Sequence, residues 1–147
     1  MQSTTNTVTI LLVEDDNIDA EAIRRAFLKA KIANPIVAVK DGIEALECLR
    51  GTGGGEPLPR PHLVLLDLNM PRMNGIEFLE EIRRDPDLCD SVVFVLTTSD
   101  DDRDKVAAYE KHVAGYIVKS KAGYDFMSMI NLLDHYWRIV ELPPERA

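Results

Sequence analysis

Five short apolar runs, each followed by a stretch with helical spacing, constrain this chain more than any other feature. The runs are Val8–Val13, Ile36–Val39, Leu63–Leu66, Val92–Leu96 and Tyr116–Val118. Three are almost unbroken in Val, Leu and Ile, as strands covered on both faces must be. Between them, Ile23, Phe27 and Ala30 repeat at helical spacing, as do Ile43, Leu46 and Leu49, then Ile76, Leu79 and Ile82, then Val106, Tyr109 and Val113. Strand–helix alternation with right-handed crossovers gives a parallel sheet with helices on both faces. The expected fold class is therefore α/β: a flavodoxin-like (βα)5 three-layer sandwich with strand order 2-1-3-4-5.

The helix starts carry a shared signature. Asp16 precedes Asp19, Asp41 precedes Glu44, Asn74 precedes Glu77 and Ser99 precedes Asp102, each at a spacing of three. A capping side chain followed by an acid at that spacing is the capping-box pattern. The cap accepts from an orphan amide, and the acid favours the positive helix end.

A length of 147 residues fits one domain. Residues 1–7 read as a flexible N-terminus, 8–142 as the domain and 143–147 as a C-terminal tail, which leaves no room for a DNA-binding output domain. The formal net charge of −8 argues against nucleic acid or an anionic membrane surface as partner, since neutralising phosphates requires Lys and Arg. Val8–Val13 is too short for a signal or a span, so the expected location is cytoplasmic. Cys48 and Cys89 match no metal or redox spacing and read as buried or half-buried thiols in a reducing compartment. Gly51–Pro61 reads as a mobile connection. Its glycines are not followed by Gly-Lys-Ser/Thr, which argues against a P-loop. His62, His112 and His135 show no ligand spacing and read as surface or boundary residues.

In an open parallel sheet, sites form beyond the carboxyl ends of the strands. Glu14, Asp15 and Asp16 follow the first run, Asp67 the third, Thr97 and Thr98 the fourth, and Lys119 the fifth. With strands one and three adjacent, Glu14, Asp15 and Asp67 converge. Clustered carboxylates need a cation between them. An oxygen-only set suits Mg²⁺ better than Zn²⁺. An Asp beside such an ion can be a nucleophile toward phosphorus, with Lys119 and Thr97 serving the phosphoryl oxygens.

Four stretches, LLVEDD (Leu11–Asp16), LLDLNMPRMNG (Leu65–Gly75), VLTTS (Val95–Ser99) and GYIVK (Gly115–Lys119), resemble the receiver domain of two-component response regulators over nearly the whole chain. The resemblance implies a phosphorylation switch rather than an enzyme. Asp67 is then the phosphoacceptor. Asp15 is a direct metal ligand, Glu14 contributes through water and Asn69 through its backbone carbonyl. Thr97 is the switch hydroxyl, Lys119 the phosphate-binding ammonium and Tyr116 the aromatic that reports the state, while Asn69 and Ser99 tune the lifetime of the acyl phosphate. The implied donor is a phosphohistidine on a sensor histidine kinase, and the output is the surface of the fourth helix, fifth strand and fifth helix. The ending WRIVELPPE is similar to regulators serving phytochrome-like photoreceptor kinases.

The chain departs from the family at one point. Lys119 is followed by Ser120, where the family usually has proline with a cis bond. A cis bond before serine costs about 2.5–4 kcal/mol. Either that cost is borne or the loop relaxes to trans and Lys119 shifts, so the phosphate site is expected to form with altered kinetics.

A last helix is expected from Tyr124 to Glu141, ended by Pro143 and Pro144. Phe126, Ile130, Leu133, Trp137 and Val140 form the stripe that packs on the sheet. Met127, Leu132, Tyr136 and Ile139 form a second apolar set, which predicts a homodimer. Two further readings compete. One is a binding module of the same fold that is never phosphorylated, for which Ser120 leaves room. The other is an aspartyl-phosphate phosphatase or flavin carrier. Asn69 stands where a phosphatase needs a second Asp, and acids stand where a flavin needs Ser, Thr or Gly.

Overall fold

The uninterrupted apolar stretch TILLV makes β1 (Thr9–Val13), and all five of its residues are buried. Only a strand flanked by others on both sides, with a covering layer on each face, buries every side chain in this way. In the computed structural model, residues 8–29, 33–68, 72–97 and 110–118 are described. The other elements are α1 (Asn17–Lys29), β2 (Ile36–Val39), α2 (Gly42–Arg50), β3 (His62–Asp67), α3 (Gly75–Arg84), β4 (Val92–Thr97) and β5 (Gly115–Val118).

The sheet order is β2-β1-β3-β4-β5, and every pairing is parallel. The expected 2-1-3-4-5 topology is what the chain adopts. All five expected strands are present, within one residue of the expected ends.

Alternation along the strands sorts side chains onto two faces. Leu11, Val13, Val64, Leu66, Val93 and Val95 join Leu46, Leu49, Phe78 and Leu79 in one core, which α2 and α3 cover. Ile10, Leu12, Leu63, Leu65, Phe94 and Leu96 join Ile23 and Phe27 of α1 in the other. Burying each large apolar side chain contributes about 1.5–3 kcal/mol, so the two cores fix the register of the strand ends.

Several details correct the sequence expectations. Ile43 is exposed, because it sits in the first turn of α2 on the side away from the sheet, while Leu46 and Leu49 are buried as expected. Val113 is buried but lies between the end of a helix at Glu110 and β5, after His112 has turned to a φ of 60°. Gly51–Pro61 is anchored in the middle. Leu58 is buried in the α2/α3 core, and its amide donates to the Cys48 carbonyl at 3.0 Å. Cys48 is half-buried, but Cys89 is exposed. His62 is buried (4% exposed), since β3 is central. The expected last helix, its two apolar stripes, Ala30, Val106, Tyr109 and His135 lie outside the described residues.

Candidate metal and phosphoryl site

The register of the central strands builds the site. Val13 pairs with Leu66, so the residues that follow them, Glu14 and Asp67, come side by side at the carboxyl end of the sheet. The Glu14 amide donates to the Val39 carbonyl at 3.0 Å, which holds the first acid in line with the sheet. Oxygens of Glu14, Asp15 and Asp67 all lie within 4.8 Å of one another. Glu14 and Asp67 are buried, at 2% and 5% exposure, while Asp15 faces solvent. Two carboxylates at that separation repel by about 3 kcal/mol at an effective dielectric of 20. Three oxygen donors, two of them shielded and one open to water, form a donor set that fits a hard divalent cation keeping some of its waters.

The helix caps around the site follow the sequence pattern to different degrees. Asp16 Oδ1 accepts from the amides of Ile18 at 2.8 Å and Asp19 at 3.2 Å, starting α1 immediately after the acids. Asn74 and Glu77 form a complete capping box at α3. Asp41 caps α2 through the Glu44 amide at 2.9 Å, and Glu44 accepts from the Lys40 amide at 3.0 Å rather than from the cap itself. The Ser99 cap lies outside the described residues.

Gly75 closes the connection after β3. Its amide donates to the Leu68 carbonyl at 3.0 Å. A Cβ there would lie 2.7 Å from Leu68 Cα and 2.9 Å from the Asp67 carbonyl oxygen. Glycine is what lets α3 start so close to Asp67.

Thr97 ends β4, one position beyond Leu96, the partner of Asp67. Tyr116 lies in β5 opposite Val95. Asn69, Ser99, Lys119 and Ser120 lie outside the described residues. Sequence reasoning missed a further pair beside the site. Arg72 Nε donates to Asp41 Oδ2 at 2.7 Å, and its Nη2 approaches the same oxygen at 2.6 Å. Burial pushes the Asp41 carboxyl up, but the Glu44 amide and the Arg72 guanidinium outweigh it and hold the group below its ordinary value.

Residues 10–131 match the family described as the response regulator receiver domain. The chain belongs to that family. This receiver is 39% identical over 135 residues to response regulator Rcp1 of Synechocystis sp., with 91% of this chain and 92% of the relative covered. It is 42% identical over 129 residues to a probable methanogenesis regulatory protein, FilR2, of Methanothrix harundinacea, covering 87% of this chain and 82% of that one. Among solved structures, the receiver resembles the Mn²⁺-bound form of Rcp1, with TM-score 0.81, 39% identity and coverage of 92% and 99%. It also resembles the phosphorylated cyanobacterial phytochrome response regulator RcpA, with TM-score 0.79, 34% identity and coverage of 92% and 98%. The receiver's fold and its place in phosphoacceptor signalling thus agree with the sequence reading, and its acidic cluster could hold a metal ion. Among the described residues, no helix is long and apolar enough to cross a membrane.

Proposed function

We propose that this receiver accepts a phosphoryl group on Asp67 from a phosphohistidine of a sensor histidine kinase, in a Mg²⁺-dependent reaction. The observation that carries the reading is the convergence of Glu14, Asp15 and Asp67 within 4.8 Å at the carboxyl edge of the sheet. Asp15, Asp67 and the Asn69 carbonyl would hold the ion, with Glu14 acting through water. Bound there, it would neutralise charge on the phosphoryl oxygens. The protein's part is alignment. β3 ends on Asp67 and aims one carboxylate oxygen at phosphorus, while a neighbouring strand holds Glu14 and Asp15 within reach. The new O–P bond forms as the donor's P–N bond breaks, and the imidazole nitrogen leaves with its electron pair. Lys119 and Thr97 serve the remaining phosphoryl oxygens, and Asn69 and Ser99 set how long the acyl phosphate survives.

Phosphorylation adds about 1.5–2 negative charges to the pocket. Thr97 moves toward them and Tyr116 turns in response. The surface of the fourth helix, fifth strand and fifth helix then changes partner affinity. The names of the relatives RcpA and the bacteriophytochrome regulators support a phytochrome-like photoreceptor kinase as donor. We place the protein in the cytoplasm as a homodimer through the fourth helix, fifth strand and fifth helix. Sedimentation showing monomer alone at tens of micromolar, with and without phosphorylation, would overturn the dimer.

The deciding experiment is incubation with acetyl phosphate and MgCl₂, followed by intact mass. A single added phosphoryl group that hydroxylamine removes, and that Asp67→Asn does not acquire, is expected. An unmodified wild type would leave only the binding-module reading.

A further inference from the structure

Asp41 is a helix cap whose two oxygens do different work. Oδ1 accepts the Glu44 amide at 2.9 Å and starts α2. Oδ2 accepts Arg72 Nε at 2.7 Å and pairs with Nη2 at 2.6 Å. The Asp41 side chain is 7% exposed, while that of Arg72 is 53% exposed. Arg72 also holds a φ of 63°, a left-handed conformation that a long side chain adopts only where its surroundings compensate. A second contact runs alongside. The Gly42 amide donates to the Met73 carbonyl at 3.3 Å, and a Cβ on Gly42 would lie 2.8 Å from Met73 Cγ. The start of α2 and the approach to α3 therefore touch directly.

The topology gives this contact its meaning. β2 and β3 flank β1 in the sheet. Asp41 follows β2, and Arg72 lies in the connection that leaves β3. A bond between them links the segments that follow the two strands on either side of β1, from whose end Glu14 and Asp15 emerge. At its start, the same connection is held by the Gly75 amide on the Leu68 carbonyl at 3.0 Å. Leu68 and Arg72 are thus each held by a contact of their own.

The geometry points to Asp41 and Arg72 as a positioning pair that fixes the connection leaving Asp67, and so sets the affinity of the carboxylate cluster for its divalent cation. This rests on the reading of that cluster as a metal site. Neither residue belongs to the carboxylate cluster. The pair acts through the backbone, as outer partners of metal ligands do. Stability alone gives no reason to place an arginine at positive φ.

Two substitutions separate the clamp from its side effects. Asp41→Asn keeps Oδ1 for the α2 cap but turns an amide nitrogen toward the guanidinium, donor against donor. Arg72→Gly removes the clamp while accepting the positive φ without strain. Calorimetric titration of each full-length variant with MgCl₂ is expected to show binding weakened by about tenfold, the low end of such outer-partner effects. The double variant should bind no more weakly than the worse single one. In metal-free protein, the Gly42 and Gly75 amides should exchange faster in both variants. Mg²⁺ affinities within twofold of wild type in both single variants, or effects that multiply in the double, would overturn the positioning role. A wild type that binds no Mg²⁺ would sink the metal reading itself. The clamp would then be judged on amide exchange alone, where unchanged rates refute it.

Discussion

Glu14 and Asp67 stand side by side at the ends of two adjoining parallel strands, both buried and with carboxylate oxygens no more than 4.8 Å apart. Two carboxylates this close repel each other, and a cation between them would relieve that repulsion. Asp67→Asn should raise the stability of the metal-free protein by about 1–3 kcal/mol, because it removes a mutual repulsion of about 3 kcal/mol at the 4.8 Å limit of separation. Urea unfolding in EDTA measures it, and an unchanged or lower midpoint would contradict the account.

The same site predicts what metal does to stability. A cation bound by the native state alone stabilises it by about 2.7 kcal/mol at a hundredfold excess over Kd. Thermal melts across a MgCl₂ series should climb for wild type and stay flat for Asp15→Asn. Calorimetric Kd values then check the slope.

At the opposite edge of the sheet, His62 Nε2 lies 3.1 Å from Ser91 Oγ, with both residues buried. Burial, and secondarily the Arg60 charge, push the imidazole down to about 4 from 6.5. The folded protein therefore resists a proton that the unfolded chain accepts. Stability from this group is complete above pH 6.5, falls as pH drops from 6.5 toward 4, and levels off below that. The full loss is about 3 kcal/mol, at 1.36 kcal/mol per pH unit. Urea midpoints between pH 7.5 and 4 should show this slope in wild type, and His62→Gln should lack it.

Gly75→Ala should cost about 1–3 kcal/mol, because its Cβ meets unyielding backbone at Leu68 Cα and the Asp67 carbonyl as well as the Leu68 side chain. The displaced atoms belong to Leu68 and Asp67, so phosphorylation by acetyl phosphate should slow as well. A variant with normal stability and normal labelling would refute the tight approach.

Arg83 fastens α3 to the segments that lead into β4 and β5. Its guanidinium donates to the carbonyls of Lys111 at 2.7 Å, Cys89 and Ser91 at 2.8 Å, and His112 at 2.9 Å. Arg83→Met keeps the stem but strands these acceptors, and should cost about 2 kcal/mol. Urea unfolding again reads the loss, and a change under about 0.5 kcal/mol would show that water replaces the guanidinium freely.

The strands and their order were legible because a central parallel strand has to be apolar on both faces, and TILLV and LVLL leave no other choice. The meeting of Glu14 with Asp67 followed from that order alone. The Asn74 capping box was legible because its partners are three residues apart. Arg72 and Asp41 are 31 apart, and no periodicity announces a side chain reaching between two loops. His62 was misjudged because a polar residue at a strand start usually faces water, whereas here Ser91 meets it inside. Leu58 was hidden within a glycine-rich stretch whose composition outweighed one apolar residue.

That buried leucine divides the long connection into unequal parts. Before it, residues 52–57 lie exposed, and an added Cβ at Gly54 or Gly55 meets nothing within 4 Å. After it, the chain is committed to entering β3. Extra chain spliced between Gly54 and Gly55 would be carried outside the molecule, at the end of the sheet away from the acids. This makes the glycine arc a natural attachment point for a reporter, one that can follow the receiver through its signalling cycle without disturbing the chemistry it reports.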